Sequence, residues 1–216
     1  MPAFVRETLS PYGTRAQHET VSSMIKVLVK FCFASFGLVG AALADEDPFA
    51  EVREQLELCA TCHGEGGAVP LDETIPILAG QHLYYVYVQL KDFKSGLREN
   101  DIMGPMAGEL EKAQMLLIAE YYSLQAWPRM DYEFDSANAG LAEPAAGAGQ
   151  CAQCHLGGWE GASRVPRLAG QSPVYLEKTM LDFKAKRRNN SPAKSSLLSS
   201  FADEQINGMA AMLGGM

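Results

Sequence analysis

The feature that most constrains this chain is a five-residue motif that occurs twice, as Cys59-Ala-Thr-Cys62-His63 and as Cys151-Ala-Gln-Cys154-His155. Both copies read C-x-x-C-H, the pattern of covalent c-type haem attachment. The chemistry requires this spacing, because two thiols must reach the vinyl groups of one flat macrocycle while the adjacent imidazole reaches its iron. The sequence therefore predicts two covalently bound haem c groups, with His63 and His155 as the proximal iron ligands.

The cysteine count leaves little room for other chemistry. The chain has five cysteines, and Cys32 is the one that lies outside the two motifs. A four-cysteine zinc site would leave both motif histidines without a role. A thioredoxin-like redox pair would need a βαβ context, which the sequence does not show. The histidines therefore favour haem over either alternative.

The N-terminal segment 1–44 is predicted to be an extension followed by a signal peptide, and Met24 is preferred over Met1 as the true start. An apolar run over 31–44 ends in Ala-Leu-Ala, which fits a cleavage site after Ala44. The uninterrupted apolar run is too short to cross a bilayer. The segment therefore predicts export to the periplasm and a mature chain without a membrane span.

The charge of the predicted mature chain, 45–216, narrows the class of partner. It has 14 basic and 24 acidic residues, a formal charge of −10. A chain with this net charge is not expected to bind nucleic acid or anionic lipid through its net field. It favours a protein partner with a basic docking patch.

The second half of the chain repeats the first. Pro76-Ile-Leu-Ala-Gly-Gln81 returns ninety residues later as Pro166-Arg-Leu-Ala-Gly-Gln171. A repeat of this size and number indicates a duplicated domain. We therefore expect one domain over 45–127, a linker over 128–146 and a second domain over 147–216. The same offset pairs Tyr85 with Tyr175, Phe93 with Phe183, Lys94 with Lys184, Arg98 with Arg188 and Asn100 with Asn190.

Apolar residues at helical spacing predict helices over 49–59, 82–95, 110–124 and 203–213. A glycine-rich loop is expected over 64–72, and no segment shows a clear hairpin signal. The predicted fold is all-α, with two tandem domains of three to five helices, each around a covalent haem. Domains this small bury little apolar surface by themselves, so each haem would act as part of the core.

The proximal histidines need a hydrogen-bond partner for their second ring nitrogen. A backbone carbonyl is the usual one, and Pro76 and Pro166 are the candidates. The alternative is that each proline only shapes a turn. His82 is interpreted as a surface residue.

The sixth ligand of the first haem is predicted to be a methionine from the loop before the last helix of that half. Met103 and Met106 both lie there, whereas Met115 falls inside the helix and is expected in the core. A thioether ligand raises the reduction potential, which suits electron transfer.

The order of C-x-x-C-H, P-x-L-A-G-Q, Tyr, F-K-x-G-x-R and a methionine before a final helix resembles the two-haem cytochrome c4 family of class I c-type cytochromes. The resemblance covers nearly all of 49–213. In that family the ligating methionine lies seven residues before the hydrophobic residue that opens the final helix. Counting back from Leu110, the resemblance implies Met103 rather than Met106.

The second half departs from this pattern, because its corresponding loop contains no methionine. Counting seven residues back from Phe201 gives Lys194, and counting forward from the repeated hexapeptide gives Ala193. Three alternatives stay open for the second iron: the Lys194 amine, an open position, or another ligand. The remaining thioethers of this region are expected to pack or to lie free, at Met209, Met212 and Met216.

Two further repeated pairs have alternative interpretations. Arg98 and Arg188 suit pairing with haem propionates, which are carboxylates, or they are solvated. For Tyr85 and Tyr175, one interpretation is that they pack on the haem or hydrogen-bond a propionate. The other is that they are ordinary core residues.

No acid–base pair, nucleophile or substrate motif is visible, which favours an electron carrier over an enzyme. The resemblance implies transfer from a quinol-oxidising complex to a terminal oxidase, or service as the cytochrome partner of a sulfur-oxidising dehydrogenase. The alternative function is a haem enzyme or small-molecule-binding protein that uses an open coordination site on the second haem.

Overall fold

The computed structural model describes residues 47–132 and 136–216. The predicted leader, its cleavage site after Ala44 and Cys32 lie outside the described residues.

The described residues form α-helices joined by loops, with isolated bridges and no sheet among them. Short 3-10 helices at Ala50–Val52 and Glu65–Gly67 flank the first helix. The predicted all-α class is therefore confirmed. The α-helices are α1 (Arg53–His63), α2 (Leu83–Lys94), α3 (Met103–Gly108), α4 (Lys112–Ser123), α5 (Ser136–Ala148), α6 (Ala152–His155), α7 (Pro173–Lys184), α8 (Pro192–Leu198) and α9 (Asp203–Gly214).

In the first half, α1 carries the whole haem motif and is followed by Gly64, where φ is +78°. Helix α2 ends just before Gly96, whose φ of +75° suits a left-handed helix terminus, as the sequence predicts. Helix α4 begins at a capping box formed by Glu111 and Gln114. Helices α3 and α4 each pack against α2, and buried apolar residues of these helices form the core of this half together with Val52.

The second half has the same order of elements. Helix α7 corresponds to α2, α8 to α3, and α9 to α4. The helix that leads into the haem motif is interrupted here, so α5 and α6 together replace α1. The helix is interrupted at Gly149 and Gln150, because Gln150 has a φ of +51°, which a right-handed helix does not accommodate.

Much of the segment that the sequence predicts as a linker, 128–146, is helical. Helix α5 occupies much of it and packs against α9. Alanine is the best helix former, and Ala142 and Ala145 are fully or almost fully buried. They let the two helices approach closely, and a Cβ on Gly208 of α9 would lie 2.6 Å from the backbone oxygen of Asn138. Packing of small residues therefore outweighs the Gly and Pro content that suggested a linker.

The loops predicted to supply the sixth ligands contain the short helices α3 and α8. Asn100 fixes the start of α3, because its Oδ1 accepts hydrogen bonds from the backbone N–H groups of Ile102 and Met103. Within the part of the chain that the structure describes, no helix is both long and apolar enough to cross a membrane.

Candidate haem sites

Both motif histidines are held by a proline carbonyl. Nδ1 of His63 lies 2.9 Å from the Pro76 oxygen, and Nδ1 of His155 lies 3.1 Å from the Pro166 oxygen. A carbonyl only accepts hydrogen bonds, so each Nδ1 carries the proton and each Nε2 keeps a lone pair. The predicted role of the two prolines is confirmed, and each imidazole is prepared to bind a metal through Nε2.

Burial keeps both imidazoles neutral. It lowers the pKa of His63 and outweighs the opposing effect of the Pro76 carbonyl. Burial likewise lowers the pKa of His155 to about 4. The neutral imidazole is the form that binds a metal, so neither histidine must lose a proton at neutral pH to do so.

Each histidine shares its surroundings with two free thiols. Cys59 and Cys62 stand three residues apart on α1, so they lie on one face of the helix. Cys151 and Cys154 have the same spacing at the start of α6. Burial raises the pKa of Cys59, which is therefore a neutral thiol in an apolar setting.

The motifs open into one continuous cavity of about 1650 Å³ between the two halves of the chain. A pocket for a single drug-sized ligand has roughly 300–1,000 Å³. All four motif cysteines and both motif histidines line this cavity, together with many apolar side chains from both halves. Two thiols and one neutral imidazole on each side of a large apolar space fit two flat, covalently attached macrocycles.

Met103 and Met106 both line the cavity. Met103 also packs against the buried core of the first half, and its backbone N–H is fixed by Asn100 Oδ1 at 2.8 Å. Met115 is 3% exposed and belongs to that core, as predicted.

Lys194 of α8 also lines the cavity, and its Nζ lies 5.4 Å from the centroid of the Phe183 ring. Burial, together with the charge of Arg188, lowers the pKa of Lys194 to about 8. The charge of Lys194 in turn lowers the pKa of His155, and both residues line the cavity. Ala193, the other candidate position, precedes Lys194 and has no side-chain atom that can bind iron.

Thioethers of the second half also reach the cavity. Met209 and Met212 of α9 pack in apolar clusters, as expected, and both line the cavity. Met180 of α7, which is not among the thioethers considered from the sequence, also lines the cavity. Its signal is the repeat offset, because it occupies the position of Leu90.

The two repeated arginines cross between the halves. Arg98 donates to the Tyr175 hydroxyl at 2.9 Å, and Arg188 donates to Gln89 Oε1 at 2.6 Å and to the Tyr85 hydroxyl at 3.4 Å. Arg188 is 5% exposed, so the solvated alternative is wrong for it. Burial would raise the pKa of Tyr175, but the two arginines outweigh it and hold that pKa below its usual value.

Among the described residues, neither Arg98 nor Arg188 has a carboxylate within ion-pair distance. Both line the cavity. Buried cations without an anion are costly. An anionic group entering the cavity, such as a haem propionate, would complete this pair.

Two features of the boundary were missed or misjudged from sequence. His82 is half-buried rather than simply on the surface, because its Nε2 lies 2.8 Å from the Glu160 backbone oxygen in the other half. Gln81 and Gln171 end the repeated hexapeptide and received no role, yet both are buried and hydrogen-bonded across the boundary.

Comparison with known proteins places this geometry in a family, although no protein-family model matches the chain. The chain is 32% identical over 184 residues to a cytochrome c4 of Thiocapsa roseopersicina, a match that covers 79% of this chain and 93% of that protein. It is 33% identical over 170 residues to a thiosulfate dehydrogenase electron acceptor of Stutzerimonas stutzeri strain A1501, covering 70% and 76%. The solved structure of cytochrome c4 from Acidithiobacillus ferrooxidans matches with a TM-score of 0.64 and 29% identity, covering 73% of this chain and 98% of that one.

These relatives favour an electron carrier over the alternative of a haem enzyme. The fold is that of class I c-type cytochromes, as the sequence predicts. The chain belongs to the cytochrome c4 family of electron-transfer proteins, and it carries two covalently bound haem c groups.

Proposed function

We propose that the motif at 59–63 holds one haem and that the motif at 151–155 holds the other. The observation that carries this assignment is the repeated arrangement of two thiols beside an imidazole whose Nδ1 is held by a proline carbonyl. The iron, when bound, supplies one-electron redox chemistry. The chain's own part is to hold the iron ligands fixed and to exclude water. The protein then rearranges little when the iron gains or loses an electron.

Met103 is the proposed sixth ligand in the first half. Its contact with the core and the hydrogen bond to its backbone N–H support this choice, because both limit how far its side chain can move. Met106 lines the same cavity without the core contact and is the weaker candidate.

For the second half, Lys194 is the proposed amine ligand, with an open position and another ligand as alternatives. An amine binds iron after losing its proton. That loss costs about 4–5 kcal/mol at neutral pH for an ordinary lysine. With a pKa of about 8 it costs about 1–2 kcal/mol. Met180, Met209 and Met212 are the thioethers on that side of the cavity.

Arg98 and Arg188 are proposed to pair with haem propionates. They are cations at the cavity wall, and each already uses part of its guanidinium to bond a tyrosine of the other half. A carboxylate would take the remaining donors.

The proposed location is the periplasm, with cleavage after Ala44. Covalent haem attachment of the c type takes place outside the cytoplasm, and the apolar run over 31–44 supports export.

The proposed partner is a sulfur-oxidising dehydrogenase, because one relative is named as the electron acceptor of thiosulfate dehydrogenase. A quinol-oxidising complex and a terminal oxidase are the alternatives. Charge supports docking on the first half, where 45–127 has 15 acidic and 5 basic residues, whereas 147–216 has 5 acidic and 8 basic residues. A basic patch on the partner would be drawn to the first half.

Stopped-flow mixing of the purified oxidised dihaem protein with a thiosulfate dehydrogenase and thiosulfate tests this function. We expect both haems to be reduced within a single mixing experiment, and intact mass to show two haems per chain. Reduction by a quinol-oxidising complex with no reduction by the dehydrogenase would contradict the proposed partner. A polypeptide without added haem mass would contradict the haem assignment.

A further inference from the structure

Gln81 and Gln171 exchange hydrogen bonds between the halves in a matched way. Oε1 of Gln171 accepts from the Ile77 N–H at 3.0 Å, and its Nε2 donates to the Ile77 oxygen at 3.0 Å. Oε1 of Gln81 accepts from the Arg167 N–H at 2.9 Å, and its Nε2 donates to the Arg167 oxygen at 3.1 Å. Each glutamine therefore binds the residue that follows the histidine-holding proline of the other half.

The side chains of these glutamines are fixed. They are 4% and 3% exposed. Each Oε1 also accepts a hydrogen bond from the next backbone N–H of its own chain segment, His82 in one case and Ser172 in the other. The three bonds leave one orientation for each amide, with oxygen towards the N–H groups.

A single peptide group links each glutamine to a histidine. The N–H of Ile77 and the carbonyl of Pro76 belong to the same peptide unit. That unit donates to Gln171 through its N–H and accepts from His63 Nδ1 through its oxygen. The corresponding unit of Pro166 and Arg167 donates to Gln81 and accepts from His155.

Hydrogen bonds in such a chain polarise one another, by ~10–30% per bond. Donation from the Ile77 N–H makes the Pro76 oxygen a stronger acceptor. A stronger acceptor at Nδ1 makes His63 a more basic ligand. A more basic ligand favours the oxidised iron.

We propose that Gln81 and Gln171 are positioning residues that act in the opposite half, so that Gln171 tunes the haem held by His63 and Gln81 tunes the haem held by His155. Each half thereby adjusts the proximal ligand of its neighbour, and the boundary between the halves is part of both redox centres. This inference rests on the proposed assignment of His63 and His155 as iron ligands.

The test uses the haem-loaded protein, reduced and labelled with ¹⁵N-histidine, and follows the Nδ1–H resonance of His63 by NMR. Gln171→Met removes all three amide hydrogen bonds at similar volume. It should move this resonance upfield and increase the ratio of reduced to oxidised first haem at fixed potential about threefold, or ~30 mV at 59 mV per tenfold. Gln81→Met should leave the His63 resonance in place, although Gln81 lies in the same half as His63.

Two further variants separate tuning from loss of structure. Gln171→Asn keeps the amide but shortens the side chain by one methylene. It replaces Gln171→Met if that variant loads haem poorly, and it should move the His63 resonance in the same direction. His82→Leu is the control, because the His82 side chain also bonds across the boundary, to the Glu160 backbone oxygen, but touches neither proline peptide. It should leave the His63 resonance unchanged.

An unchanged His63 resonance in both Gln171 variants would overturn the proposal. Equal movement in the Gln81, His82 and Gln171 variants would also overturn it, since that pattern indicates a loosened boundary. If His63 were not an iron ligand, the wild-type protein would already lack a haem-shifted Nδ1–H signal. Failure of the present proposal leaves that wild-type signal intact.

Discussion

Arg98 and Arg188 form an isolated antiparallel bridge at the boundary, and each places its guanidinium 4.5 Å from the centroid of a phenylalanine ring in its own half. The two phenylalanines, Phe93 and Phe183, are equivalent in the repeat. The relationship is nearly symmetric, because each arginine also bonds the tyrosine of the other half. The duplicated sequence thus builds its own interface from equivalent residues.

The Arg188 contacts predict that Arg188→Lys destabilises the haem-loaded protein by about 2–3 kcal/mol. A lysine ammonium cannot reproduce the hydrogen bonds that the planar guanidinium of Arg188 donates to Gln89 and Asn190. Denaturant unfolding followed by haem absorbance measures the change. Arg187→Lys is the control, because that side chain is 64% exposed and bonds Asp182 at the surface, and its cost should stay below about 0.5 kcal/mol. Similar losses in both variants would contradict a special role for Arg188.

The assignment of Met103 predicts that Met103→Ala abolishes the methionine–iron charge-transfer band of the oxidised first haem. Its potential should fall by ~0.1 V or more, since axial ligands span about 0.8 V in haem proteins. Absorption spectra and a redox titration measure both effects. Met106→Ala is the matched control, because Met106 lies on the same short helix and lines the same cavity. Loss of the band in Met106→Ala alone would transfer the assignment to Met106.

Local patterns sufficed for much of this molecule. Spacing and the repeat predict the haem motifs, helices α2, α4 and α9, and the carbonyl partners of both histidines, which lie 13 and 11 residues further along the chain. These features depend on local chain geometry, which a sequence carries directly.

Features that depend on contacts between distant parts of the chain could not be predicted from local sequence patterns. The Gly and Pro content of 128–146 predicts a linker, whereas much of this segment forms helix α5 because its alanines pack on α9. His82 and Gln81 find their partners at 160 and 167, more than seventy residues away. The repeat marked Gln81 and Gln171 as equivalent, but only the placement of one half on the other gives them partners.

The buried amine of Lys194 gives the second haem a pH dependence with a defined sign. Lys194 is protonated below its pKa of about 8 and cannot then bind iron. Iron binding favours the deprotonated amine, so the observed midpoint should lie below that value. We expect the high-spin signal of the oxidised second haem to increase as the pH falls, as measured by electron paramagnetic resonance. A high-spin signal that is constant with pH would favour the open position.

The close approach of α5 and α9 predicts that Gly208→Ala destabilises the second half by about 1–3 kcal/mol. The new Cβ would lie 2.6 Å from the Asn138 backbone oxygen, so one helix must shift. Gly147→Ala, on α5, is the control, because a Cβ there meets nothing within 4 Å. It should stabilise the helix by about 0.5–1 kcal/mol. Thermal unfolding of the haem-loaded variants should therefore change in opposite directions, and equal destabilisation would contradict this account of the packing.

The unequal charge of the two halves predicts where a basic partner docks. Glu54→Lys and Glu57→Lys reverse exposed charges on α1, the helix that carries the first haem motif. Each should lower the association rate with such a partner about two- to fivefold at low salt, and the difference should shrink as salt screens the charges. Glu204→Lys is the control, because that residue is exposed on α9 of the second half. Stopped-flow electron transfer at several ionic strengths measures these rates. A larger effect of Glu204→Lys than of the α1 variants would place the docking surface on the second half.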